Sequence, residues 1–191
     1  ESINILGNVT IIETYAFKSC ISLSSISLPN SVSEIKSYAF IYCESLTTFV
    51  FPEKVTIVES FIFSYASNLK SVTFLGNVTA IGDCAFRFCY NLQQIIIPES
   101  VTFIGSYTFS GCSCLASIII PKNVNNMGNS FYDNPDLIAV YYYGSKSPAH
   151  PYSVFSYTSV KYVYVLPDYV DDNFCGLPIA PFPDANVTYK I

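Results

Sequence analysis

Charge is scarce in this 191-residue chain: 12% of its residues are Asp, Glu, Lys or Arg, and the formal net charge is −5. Among the few cations only Arg87 is an arginine. Nucleic-acid binding takes most of its affinity from Lys and Arg neutralising phosphates, so this balance argues against a nucleic-acid partner. Histidine is equally scarce. The only one, His150, sits in the turn-rich stretch Ser147-Pro148-Ala149-His150-Pro151 with no catalytic constellation around it. Any Ser-His-Asp or Cys-His mechanism would have to run through that residue, so it is placed on a surface loop and no enzyme is expected. Polar residues interrupt every apolar stretch before the roughly 18 residues a membrane helix needs, and no basic amphipathic segment is present, so this chain is not expected to insert into a membrane. Zinc-type CxxC spacing is also missing. The chain opens at Glu1 inside a repeat with no signal-peptide pattern, and it reads as a piece of a longer protein.

What is present is apolar and periodic. Hydrophobic residues make up 51% of the chain, enough for a core and far too much for disorder. Phenylalanine recurs every 23 residues at Phe17, Phe40, Phe63, Phe86 and Phe109, with Phe131 one residue early. Leu23, Leu46, Leu69, Leu92 and Leu115 keep the same step, as do Ile26, Phe49, Val72, Ile95 and Ile118. Val9, Val32, Val55, Val78, Val101 and Val124 form a further column. A fixed period of this length means stacked supersecondary units, none of which buries its apolar face alone.

Each unit divides into three pieces. Leu-x-x-Ile-x-Leu before proline, as in Leu23 to Pro29 and Leu115 to Pro121, alternates like a short strand with one face inward. Proline closes it because it has no N–H to give to a ladder. Ala-Phe-x-x-Cys, as in Ala39 to Cys43, carries the spacing of a single helical turn. Val-x-x-Ile, as at Val101 and Ile104, is a brief extended or turn segment. The coil Pro29 to Phe51 then points Val32, Ile35, Ala39, Phe40, Cys43, Leu46, Phe49 and Phe51 inward.

The full pattern, Pro-x-x-Val-x-x-Ile-x-x-x-Ala-Phe-x-x-Cys-x-x-Leu-x-x-Ile-x-Leu, closely resembles the BspA-like class of leucine-rich repeats over roughly Val9 to Pro167. The resemblance implies a right-handed α/β solenoid of about seven coils, with a parallel sheet on the concave face and short helical turns and extended segments elsewhere. Residues 1–166 form that solenoid, its first coil incomplete, and residues 167–191 a C-terminal cap or linker, with Phe174, Leu177 and Ile179 as apolar anchors. It also implies a cell-surface or secreted protein, adhesion-type and non-catalytic, with no cofactor. Departures are local: Ala66 and Asn134 stand where cysteine is expected, Leu75 where proline is, and Phe155 is one place off register.

Several residues carry competing readings. Cys20, Cys43, Cys89 and Cys112 share an inward column, either a metal site, a disulfide ladder or buried thiols. Parallel Cβ vectors would strain a bridge, and a free cysteine packs as a small hydrophobe, so buried thiols are expected. Cys84, Cys114 and Cys175 lie off the column and are expected to be more accessible. Asp168, Asp171 and Asp172 match no EF-hand spacing and read as a solvated acidic turn rather than a calcium site. The sequons at Asn8, Asn77 and Asn186 are either glycosylation sites or turn chemistry copied between repeats.

The outward strand positions contain no charge and grade from hydroxyls at Ser25, Ser27, Thr48, Ser71 and Thr73 to Ile96, Ile119, Tyr141, Tyr143, Tyr162 and Tyr164. Those last six are the candidate ligand patch, since tyrosine offers large area with a polar handle. The competing reading is that Ile and Tyr are there for strand propensity and cross-coil pairing. The leading expectation is a module that recognises a protein or glycan partner through the concave sheet. The alternative is a structural spacer or surface antigen without a dedicated ligand.

Overall fold

In the computed structural model, residues 1–149 and 153–183 are described, so His150 and the sequon at Asn186 lie outside the described residues. Strand β1 (Ser2–Asn4) ends a partial turn. Each successive coil then supplies two short strands: β2 (Ile11–Ile12) and β3 (Ser25–Ser27), β4 (Glu34–Ile35) and β5 (Thr48–Phe51), then β6 (Ile57–Val58) and β7 (Ser71–Phe74). The series continues with β8 (Ala80–Ile81) and β9 (Gln94–Ile95), β10 (Phe103–Ile104) and β11 (Ser117–Ile120), then β12 (Asn126–Met127) and β13 (Ala139–Tyr142). Strand β14 (Val163–Val165) closes the seventh coil, and β15 (Ile179–Pro181) lies beyond it.

The 23-residue step sets the pairing register. Thr48 lies opposite Ser71 and Ser71 opposite Gln94, all in parallel ladders. The concave strands form three sheets, β1-β3, β5-β7-β9 and β11-β13-β14-β15. The Val-x-x-Ile segments, expected only as brief extended pieces, build a second set of parallel ladders, β2-β4 and β6-β8-β10-β12.

All eight inward residues named for the coil from Pro29 to Phe51 are buried. Rings of the phenylalanine column stack along the axis from Phe17 to Phe155, with centroid separations of 5.0–5.7 Å and interplanar angles of 0–15°. Those separations exceed the strand spacing of about 4.8 Å, as offset stacking requires. Phe155 is one residue out of step in sequence, yet it stacks on Phe131 at 5.6 Å. Burying the ring outweighs keeping the count.

The single helical turn expected at Ala-Phe-x-x-Cys is a correction: among the described residues no helix is present. The backbone there enters the left-handed region at Tyr15, Tyr38, Phe61, Cys84 and Tyr107, and again at Ser19, Tyr42, Tyr65, Phe88 and Gly111, with φ between 54° and 73°. A helix needs consecutive right-handed residues, so these positions break it. In return, alternate amides turn along the stack. Tyr38, Phe40 and Tyr42 donate to the carbonyls of Ser60, Ile62 and Ser64 in the next coil. Left-handed backbone costs roughly 1–2 kcal/mol for a residue with a Cβ. Inter-coil hydrogen bonds and outer ring contacts (Tyr15 to Tyr38 at 5.0 Å, Tyr42 to Tyr65 at 4.9 Å) offset that cost.

Candidate binding face

Outward positions of the concave strands put the candidate residues on one surface. Pairing of β13 with β14 sets Tyr141 beside Tyr164, rings stacked at 4.9 Å and 17°. Tyr162 meets Tyr164 edge-on at 5.3 Å. Phe182 completes the group, 5.6 Å from Tyr141 and 5.3 Å from Tyr143. Tyr162 is exposed, while Tyr141, Tyr143 and Tyr164 are half-buried.

Phe182 has no counterpart in the sequence reading. Its place follows from β15, which pairs with β14 through Tyr164 opposite Ala180, so that Phe182 falls on the outward parity two residues on. The strand-to-strand step from Tyr164 to Ala180 is 16 residues, not 23, so repeat counting had no means of finding it.

Ile96 and Ile119 belong to a different part of the same face. They line a groove of about 180 Å³ between β9 and β11, with Gln94, Ser117 and Glu99. Ile96 is 64% exposed and Ile119 is half-buried. The six candidates therefore fall into two subsites, an aromatic one near the C-terminal coils and an aliphatic groove before it.

The cysteine column is a ladder of thiol donors. Cys43, Cys89 and Cys112 donate to the carbonyls of Phe17, Phe63 and Phe86 in the preceding coil at 3.1, 3.2 and 3.2 Å. Asn134 takes over the role, its Nδ2 donating to the carbonyls of Phe109 at 2.8 Å and Phe131 at 3.0 Å. All seven cysteines are free thiols. Of the three off-column cysteines, Cys114 is exposed and Cys175 half-buried, but Cys84 is a correction to the expected accessibility: it is 6% exposed, beside Arg87.

Burial pushes the Cys43 thiol up to about 12, and burial does the same at Cys175, also to about 12. A thiol raised in the folded state is neutral in both states below about 9, its ordinary value. As pH rises past that point the unfolded chain ionises first, so stability falls between about 9 and 12. The melting temperature is expected to be flat from pH 7 to 9 and to drop steadily above it. At pH 8, maleimide is expected to label Cys114 quickly and Cys43, Cys89 and Cys112 only on unfolding; Cys20, at the end of the column, is half-buried rather than buried as expected. Rapid labelling of Cys89 in the native protein would contradict the buried ladder.

Among the described residues no group of three or more His, Cys, Asp or Glu side chains is placed to hold a metal ion. Asp171 accepts the Ser147 amide at 2.6 Å, tying the acidic turn to the preceding loop. Among the same residues no helix is long and apolar enough to cross a membrane. Asn8 and Asn77 are both exposed at equivalent turns.

The fold is similar to that of a leucine-rich repeat protein from Bacteroides ovatus, at 22% identity and a TM-score of 0.54, over 86% of this chain and 55% of that one. This chain thus spans about half the length of that relative. Weaker likenesses reach a protein described as a leucine-rich cell surface protein from Faecalibacterium prausnitzii, at 23% identity and a TM-score of 0.42, over 82% of this chain and 69% of that one. The pneumococcal vaccine antigen PcpA is similar at 14% identity and a TM-score of 0.42, over 91% of this chain and 80% of that one. No curated protein sequence matches the chain. The family described as the BspA type leucine-rich repeat region matches in six copies, across residues 1–113 and 33–162. With the 23-residue register, the parallel ladders and the stacked phenylalanines, that match makes this chain a member of the BspA-type leucine-rich repeat family.

Proposed function

We propose that the chain is a non-catalytic recognition module of a cell-surface or secreted protein, and that it holds a protein or glycan partner on its concave sheet. The observation that carries this reading is the aromatic cluster of Tyr141, Tyr143, Tyr162, Tyr164 and Phe182. Rings already ordered by mutual stacking lose little side-chain entropy on binding, and phenol groups serve an apolar contact and a hydrogen bond alike. The outward strand positions around them carry no charge, so shape and hydroxyl contacts set the preference.

Residues 167–191 serve as the cap of the solenoid in this reading. Pairing of β15 with β14 and the complete burial of Phe174 against Tyr142, at 4.7 Å, support it. The exposure of Asn8 and Asn77 supports glycan attachment if the parent protein passes through a secretory pathway.

The test is a Tyr141→Ser, Tyr162→Ser double variant in a pull-down from host cells or matrix. Partner capture is expected to be lost while the melting temperature changes little. Unchanged capture would dismiss the patch. The stacking of Tyr141 on Tyr164 also favours a second reading, a spacer or antigen whose tyrosines serve only the solenoid. That reading expects no specific capture by the wild type and a clear stability loss in the double variant.

A further inference from the structure

The concave sheet parts between β3 and β5 and again between β9 and β11. At the second of these levels the outer ladder runs through β8, β10 and β12 without a break. Stacking therefore continues across this level while the concave edges stay unpaired with each other. The groove of about 180 Å³ opens at that interruption. Ile96 and Ile119 line it together with Gln93, Gln94, Ser117 and Glu99.

Glu99 is the informative residue. Its Oε2 is buried and has no hydrogen-bond partner among the described residues. Lys122, one coil on in the same column, does not pair with it; the ion pair among the described residues joins Lys36 and Glu34. A carboxylate oxygen withdrawn from water without a donor costs free energy that a cationic donor would recover. Apolar walls leading to a carboxylate match the side chain of lysine or arginine, an alkyl stem ending in a cation. A net charge of −5 favours approach of a basic partner over an acidic one.

We infer that this groove is a binding site for an extended basic peptide segment, its lysine or arginine lying between Ile96 and Ile119 with the cation on Glu99. The inference deepens the concave-face reading and rests on it, assigning the partner's chemistry at the aliphatic subsite. The neighbouring tyrosines then contact the flanking part of the same partner.

The probe is an acetylated, amidated Ser-Val-Lys-Val-Ser peptide, titrated into the 191-residue chain with the Ile96 and Ile119 methyl resonances as reporters. Both methyls are expected to shift, and replacing the peptide lysine by norleucine is expected to abolish binding. Glu99→Gln is nearly isosteric and is expected to weaken binding about tenfold or more, the size of a lost charge-assisted contact. Glu53→Gln removes the same charge from an exposed residue two coils away and is expected to change affinity less than about twofold, as surface charges do. Equal losses in the two variants would mean that the acidic chain attracts cations without a site, overturning the assignment. Shifts confined to other methyls, or no binding by the wild type, would overturn it as well. The Tyr141→Ser, Tyr162→Ser variant separates the two levels. If it still binds the pentapeptide but captures no cellular partner, both subsites stand. If the peptide fails while tyrosine-dependent capture persists, only the groove assignment falls.

Discussion

Phe86→Ala is expected to destabilise the protein by about 3–5 kcal/mol, the range for deleting a buried aromatic ring. Phe86 is fully buried and stacked between Phe63 at 5.7 Å and Phe109 at 5.5 Å. Its removal leaves a void in the middle of a linear stack, where neither neighbouring coil has another element to lean on. Solenoid stability is close to a sum of coil and nearest-neighbour terms, so two interfaces are lost together. For a chain of this size the melting temperature should fall by roughly 6–20 °C. Lys70→Ala is the matched control: Lys70 is exposed, and the hydrogen bond its backbone amide donates to the Thr47 carbonyl survives the change. It should stay within about 0.5 kcal/mol of wild type. Equal thermal shifts for the two would mean that the assignment of inside and outside is wrong.

Gly76→Ala is expected to be of similar severity for a different reason. A Cβ placed there would meet the Glu53 carbonyl oxygen at 1.9 Å, its carbon at 2.7 Å and the Glu53 Cα at 3.0 Å. These are backbone atoms of the preceding coil, so no rotamer change relieves the overlap, and the two coils must separate. Forced overpacking costs about 1–3 kcal/mol, and a backbone collision belongs at the top of that range. Gly7 occupies the same column three coils earlier, with φ of 90° and open space around it, so that a Cβ added there would have no neighbour within 4 Å. Gly7→Ala should therefore cost only the left-handed backbone preference, about 1 kcal/mol. Thermal melts of the pair check this. Similar melting temperatures would show that the coils part easily at this level.

Much of the fold was legible because a strand in a coil has one inward face and the repeat copies that face at a constant step. Val32, Ile35, Phe40, Leu46 and Phe49 needed only the period to be placed, and the cysteines of the same column followed. Two features were not legible. The left-handed turns at Tyr38 and Tyr42 look helical in sequence, because the apolar spacing of Ala-Phe-x-x-Cys fits one helical turn equally well. What breaks the helix is the set of amides reaching the next coil, a contact between residues 22 positions apart, as from Tyr38 to Ser60. Cys84 reads as accessible because it lies off the cysteine column, but it is buried beside Arg87.

The candidate face was legible in part. Tyr141, Tyr162 and Tyr164 follow from strand parity, and so does their grouping, since β13 and β14 are neighbours in the register. Phe182 did not follow, because it enters through a strand that obeys no repeat. Nor did the separation of Ile96 and Ile119 into their own groove, which depends on β9 and β11 failing to pair.

The residue pattern alone determined that equivalent side chains stack, which of them turn inward, and that the concave strands present hydroxyls, isoleucines and tyrosines without charge. Those properties are local and repeat with the chain, so a one-dimensional period suffices to state them. Tertiary structure decided where the concave sheet parts, which carboxylate oxygen loses its water there, and which aromatic ring joins the tyrosines from beyond the last repeat. Each of these depends on how one coil rests against another, and the same repeat is compatible with a closed ladder or an open one.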